Sequence, residues 1–164
     1  MNNIRYEWPG GARFTYNCYR HWATLVVRNT KDGSGHFLHS KEGVTQVDPL
    51  AMIAYGIGFF PLIRVLRSDH PQVYQLWYAD DAVAGGKFRD IMARFRDLQL
   101  KGPARGYCPE PTKSILVVSE QNVPRAKEYF RGMGVQVVTG SRYLGGYVGE
   151  RETEGQWLQE KVEG

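Results

Sequence analysis

Val73-Tyr74-Gln75-Leu76-Trp77-Tyr78-Ala79-Asp80-Asp81-Ala82-Val83-Ala84-Gly85-Gly86 is the stretch from which the fold is read. An apolar run from Val73 to Trp77 leads into Tyr78-Ala79-Asp80-Asp81, and small residues follow as far as the Gly85-Gly86 pair. This pattern predicts a β-hairpin with two adjacent carboxylates, Asp80 and Asp81, at its tip. Hard divalent cations take oxygen ligands, and a hairpin tip presents both side chains to solvent while its strands stay anchored in the core. In two-metal phosphoryl chemistry such a pair helps to clamp the ions that stabilise the attacking and leaving oxygens. The alternative reading of the same four residues is a plain turn that uses Asp because Asp suits turns.

Three further segments stand in a fixed order around the hairpin. Upstream is Gly43-Val44-Thr45-Gln46-Val47-Asp48-Pro49-Leu50; downstream are Gly106-Tyr107-Cys108-Pro109-Glu110-Pro111-Thr112-Lys113-Ser114 and Tyr143-Leu144-Gly145-Gly146-Tyr147-Val148-Gly149. Together with Tyr78-Ala79-Asp80-Asp81 they resemble motifs B, D, E and C of reverse transcriptases, and the resemblance is nearest to enzymes of retroelements without long terminal repeats and of group II introns. It covers nearly the whole chain. Motifs B and C are the specific pair, while D and E gain weight from the series. The family places motif A, with its metal-binding Asp, ahead of these segments, yet no Asp precedes Asp32. Asp32 lies in the turn-like Lys31-Asp32-Gly33-Ser34-Gly35 and is badly placed to replace it.

Composition fits one domain. The chain has 164 residues, 42% hydrophobic and 13% aromatic, enough for a core but too few for a complete reverse transcriptase with its thumb. Its formal charge is +4. Residues 82 to 142 carry eleven Lys/Arg against five Asp/Glu and residues 1 to 31 carry five against one, whereas the last 22 residues carry two against five. Basic surface therefore flanks the carboxylate pair, which is compatible with a polyanion partner. Cys18 and Cys108 make neither a disulfide framework nor a metal site, and Met1-Asn2-Asn3-Ile4-Arg5 lacks the apolar stretch of a signal peptide. An intracellular location, cytoplasmic or nuclear, is expected rather than secretion. The uncharged run Pro49 to Ile63 is 15 residues long and holds Gly56, Gly58 and Pro61, which predicts a buried helix and no membrane partner.

The pattern along the chain predicts an α+β fold: a small antiparallel sheet bearing the Tyr-Ala-Asp-Asp hairpin, packed on amphipathic helices. Residues 8 to 22 read as a helix with Phe14, Cys18 and Trp22 on one face, and Ala23 to Arg28 and His36 to His39 as strands. Asp48 is expected to cap a helix with Pro49 at its first position and a kink at Pro61. Phe88, Ile91, Met92, Phe95 and Leu98 form one face of a further helix, with Arg89, Asp90, Arg94, Arg96 and Asp97 on its wet side. Ile115 to Val118 is a strand, and Asn122 and Pro124 open a helix. Val135 to Val138 and Arg142 to Val148 are strands around a Gly140-Ser141 turn, and the charged end forms one short helix. Residues 1–149 would be a partial fingers and palm domain, with 150–164 a charged tail or the start of a thumb connection.

What the resemblance implies for single residues is specific. Asp80 and Asp81 would be catalytic ligands of Mg²⁺ or Mn²⁺, Asp80 the more direct, with weak binding expected without motif A. Lys113 would protonate the departing pyrophosphate or neutralise its charge. Gln46 would position template and incoming nucleotide, Tyr78 would pack beneath the primer end, and Tyr143, Leu144, Gly145 and Gly146 would resemble the primer grip. Val47 departs from the pattern, because the family has Gly there and a β-branched residue is barred from the positive φ that Gly allows. The parent activity implied is DNA synthesis on an RNA template from a DNA primer and deoxynucleotides, with this chain alone inactive. The competing readings are a nucleic-acid-binding remnant without chemistry and a metal-dependent phosphohydrolase. The latter leaves Gln46, Lys113 and Leu144-Gly145-Gly146 without a role.

Overall fold

Short elements punctuated by Gly, Pro and Asx turns make up the chain. The computed structural model describes residues 2–40, 48–79 and 81–163. Among them are six α-helices and four two-stranded sheets, mostly antiparallel, so the fold is α+β. The strands do not join into the single antiparallel sheet that the pattern predicts; each pair stands alone. The chain gathers into two units, Met1–Ala84 and Gly85–Gly164.

In the first unit, α1 (Asn2–Glu7) and α2 (Pro9–Tyr19) precede the hairpin β1 (Ala23–Arg28) and β2 (Gly35–Ser40). Pro9 suits the start of α2, where its missing N–H costs nothing. The face that α2 buries is Gly11 and Thr15, the Thr15 hydroxyl donating to the Gly11 carbonyl at 3.0 Å. Phe14, Cys18 and Trp22, expected inward, are exposed. The long helix α3 (Ala51–Asp69) starts later than predicted, because Asp48 uses Oδ1 to accept from the Leu50 N–H at 2.8 Å in a turn ahead of the helix. It continues through Pro61 and buries Phe59, Leu62 and Leu66. By length and composition alone α3 suffices to cross a membrane. Only 17% of its apolar stretch is buried, so it is not the buried helix the sequence predicts; two polar contacts tie it to α1, Asn3 donating to the Gly58 carbonyl at 3.1 Å and Arg64 pairing with Glu7 at 2.9 Å. The hairpin β3 (Tyr74–Tyr78) and β4 (Asp81–Gly85) follows.

In the second unit, α4 (Phe88–Lys101) corrects the amphipathic reading. Asp90 and Arg94, placed on the wet side by sequence, are buried with Leu98 in a stripe of every fourth residue. Arg94 is 3% exposed, and its desolvation lowers its pKa from the ordinary guanidinium value, with Tyr107 opposing the shift. Two 3-10 turns, Pro103–Arg105 and Pro111–Lys113, lead to β5 (Ile115–Val117). After a further 3-10 turn, α5 (Val123–Tyr129) carries the chain back to β6 (Gln136–Val138), which pairs with β5 in parallel. A hairpin between β6 and the next strand, as predicted around Gly140-Ser141, does not form; those residues open β7 (Gly140–Tyr143), which pairs with β8 (Gly146–Gly149). A Cβ on Gly149 would collide with Gly140 Cα, so the pair at the base of this hairpin needs glycine. The last helix, α6 (Arg151–Glu163), stacks Trp157 on Tyr147 of β8 at 5.6 Å.

One contact in the first unit is set to respond to pH. The Tyr19 hydroxyl donates to Asp48 Oδ2 at 2.7 Å. Desolvation, and then this bond to a carboxylate, pushes the Tyr19 pKa from 10.0 up to about 12. The same bond, followed by the Leu50 N–H, lowers Asp48 from 3.8. The raised Tyr19 contributes stability that is full below pH 10.0 and is lost as pH rises toward about 12. The lowered Asp48 contributes stability present above pH 3.8 and lost as pH falls through its folded value. Thermal melts of wild type and Tyr19→Phe should therefore differ by a constant amount at intermediate pH and converge at both extremes. A difference that does not narrow at alkaline pH would show that this bond does not form.

Candidate active site

The carboxylate hairpin is built by one clear alternation. Val73, Gln75 and Trp77 turn inward, and Tyr74, Leu76 and Tyr78 outward. Gln75 is the anchor: its Nε2 donates to the Leu66 carbonyl at 3.1 Å, and its own carbonyl accepts from Arg67 at 3.3 Å. Strand β3 is thereby tied to the last turns of α3. Ala79, the first residue after β3, has φ 49°, the sign favoured at the first loop position of tight hairpin turns. Tyr78 and Asp81 are both exposed on either side of this turn. Asp80, Gln46 and Val47 lie outside the described residues.

Asp81 offers a hard oxygen donor of the kind Mg²⁺ takes, and Mg²⁺ commonly binds through one or two carboxylates while keeping several waters. The donor chemistry fits the ion. No group of three or more His, Cys, Asp or Glu able to hold a metal occurs among the described residues. Asp48, two positions after Gln46, is held from both sides by Tyr19 and the Leu50 N–H.

In the second unit, Lys113 ends the 3-10 turn Pro111–Lys113 immediately before β5 and is exposed. That turn is organised by Glu110, whose carboxylate accepts from the Thr112 hydroxyl at 2.9 Å, and the Thr112 carbonyl accepts from Gln136 at 2.8 Å. The ammonium thus stands on a braced turn at the mouth of the parallel pair. Tyr143, Leu144, Gly145 and Gly146 come together as one turn: Tyr143 pairs with Gly146, and Leu144 (φ 47°) and Gly145 (φ 82°) form the two-residue loop. Two successive positive φ angles define a type I′ turn, which matches the twist of the flanking strands. Sequence reasoning put the turn at Gly140-Ser141 and missed the bracing role of Gln75. Its cue, a lone amide in an otherwise apolar strand, is present in the sequence. Comparison with known protein families, with curated proteins and with solved structures finds no match for this chain.

Leu144 is the outlier in this turn. A Leu in the left-handed region costs roughly 1–2 kcal/mol, and at 51% exposure its side chain recovers little of that by packing. Leu144→Asn, which gives the residue pair favoured by type I′ turns, should stabilise the chain by about 1 kcal/mol in a denaturant titration. Destabilisation would mean that the Leu144 side chain makes a contact worth more than the strain.

Proposed function

We propose that this chain supplies the motif B to E portion of a reverse-transcriptase palm with adjoining fingers, from a retroelement. The parent reaction is addition of deoxynucleotides to a DNA primer along an RNA template. The observation that carries the reading is the paired strands β3 and β4, with Tyr78 and Asp81 exposed at their facing ends. The tight turn at Tyr143–Gly146, in the segment that resembles motif E, supports it.

In this reading Asp80 and Asp81 hold Mg²⁺ or Mn²⁺, which when bound neutralises charge on the transferring phosphoryl group. Tyr78 offers an exposed ring beside the carboxylates for the primer end to rest on. Lys113 contributes a proton or a point charge to the leaving pyrophosphate. The Leu144-Gly145 loop lets a nucleic-acid backbone lie close, because Gly145 has open space where a Cβ would be. Gln46, with donor and acceptor on one amide, positions template and nucleotide. A second reading, a nucleic-acid-binding remnant without chemistry, is favoured by Val47, where the family's Gly admits a close backbone approach that a β-branched side chain obstructs.

Primer extension on four proteins tests this: the chain itself, the chain joined to an upstream segment carrying a motif A Asp, and that longer protein with Asp80→Asn or Val47→Gly. The chain alone should give no extension with Mg²⁺ or Mn²⁺, the longer protein should be active, Asp80→Asn should reduce it to background and Val47→Gly should increase it. Unchanged synthesis by the Asp80→Asn protein would refute the carboxylate assignment. Duplex binding with no synthesis by either longer protein that retains Asp80 would favour the remnant.

A further inference from the structure

The hairpin β1–β2 leaves one edge of β1 without a strand partner among the described residues. Its register pairs Ala23 with Ser40, Leu25 with Leu38, Val26 with Phe37 and Arg28 with Gly35. One step beyond, the Asn29 N–H donates to the Ser34 carbonyl at 2.8 Å. Antiparallel ladders alternate bonded and non-bonded pairs, so Val27, Leu25 and Ala23 direct their backbone groups to β2, and Arg28, Val26 and Thr24 direct theirs to the open edge. From Thr24 to Arg28 every residue of the strand is exposed, Val26 at 57% and Leu25 at 44%. Open edges are usually blunted by Lys, Pro or a bulge. Residues 23–27 carry no charge and no Pro, and Thr24, Val26 and Val27 are β-branched, the residue type that favours strands. A two-stranded ribbon is marginal alone in water, and three or more strands with an apolar face give independent stability.

We propose that the open edge of β1 pairs with β1 of a second copy of this chain, antiparallel about a two-fold axis between the two Leu25 residues. The occupant is selected by how β1 matches itself. Centred on Leu25, the pairing sets Thr24 against Val26 of the second copy, Ala23 against Val27 and Arg28 against Trp22. The outward-pointing Thr24 and Val26 then exchange backbone hydrogen bonds, which is the parity the ladder demands. Trp22, whose ring lies 6.2 Å from that of His39, is on the same face as Arg28. Arg28, the only charge of β1, therefore meets an aromatic ring of the second copy, as in a cation–π pair. A register centred on Arg28 would oppose two like charges, and one centred on Val26 would set Arg28 against Thr24. The Leu25-centred sheet has the strand order β2, β1, β1, β2, and a continuous row of Leu38, Leu25, Leu25 and Leu38 crosses one of its faces. Strand β2 suits this role less, since it opens with Gly35 and carries His36, His39 and Ser40. No residue of the proposed catalytic site enters the pairing.

Sedimentation velocity of the whole chain from about 1 to 200 μM tests it, since an edge pair of this size belongs with the small, weak interfaces. The chain should pass from monomer to dimer and go no further. Val26→Pro removes a backbone N–H that points to the open edge and none that serves β2, so it should leave the hairpin in place and abolish the dimer. Arg28→Ala should weaken dimerisation roughly 5- to 30-fold, because the two-fold axis makes the Trp22–Arg28 pair twice. Disulfide trapping in a Cys18→Ser, Cys108→Ser background reads the register. Under mild oxidation Leu25→Cys should give a covalent dimer, since the two introduced thiols face each other in a closely spaced non-bonded pair, and Thr24→Cys should not. This trapping decides the matter even where Val26→Pro disturbs the hairpin. A chain that stays monomeric throughout, a Val26→Pro dimer as stable as wild type, or equal trapping of Leu25→Cys and Thr24→Cys would each overturn the proposal. So would assemblies that keep growing with concentration, which would mean open-ended pairing in place of a closed pair.

Discussion

A single buried amide sets the geometry of the carboxylate hairpin. Gln75 is 7% exposed, and its Nε2 finds its acceptor in the carbonyl of the fully buried Leu66, which also accepts from the His70 N–H. An unmet polar group at this depth would cost about 1–3 kcal/mol, so the bond holds β3 in one register on α3. A slip of one residue would send Gln75 outward and Tyr78 inward, because strand side chains alternate. The exposed Tyr78 and Asp81 thus depend on a contact a strand's length away from the turn.

The two hairpin turns that carry the candidate chemistry share a departure from easy backbone geometry. Ala79 and Leu144 are the non-glycine residues with positive φ among the described residues. Each is the first residue after its strand, where Asn, Asp or Gly is the economical choice in a tight hairpin loop. Such outliers persist where surrounding structure over-determines them, and they cluster at functional positions. At Leu144 the flanking strands favour a positive φ, since the commonest two-residue hairpin loops take that sign.

Local features were legible in the sequence. β1 and β2 follow from short strand-like runs on either side of the Asp32-Gly33 turn, and α4 from the spacing of Phe88, Ile91, Phe95 and Leu98. The exposed placement of Tyr78 and Asp81 follows from a short turn beside an apolar run. Features that depend on distant partners were not legible. The α3 start moved because Asp48 is shared between Leu50 and Tyr19, and a cap prediction weighs only the first. Arg94 is buried although the spacing of the apolar residues puts it on the wet side, since burial depends on what lies across the helix rather than along it. β6 was assigned to the wrong partner because Gly140-Ser141 resembles a turn, whereas its true partner β5 lies on the far side of α5 in sequence.

That last pairing has a kinetic consequence. β1–β2, β3–β4 and β7–β8 join strands adjacent in sequence, and hairpins of this kind close in about 1–10 μs. β5 and β6 can meet only after α5 has formed or at least folded back, since a parallel pair requires a crossover connection. Loop closure must then be met before any strand contact repays it. The short parallel pair is therefore expected to close later than the hairpin β7–β8 of the same unit.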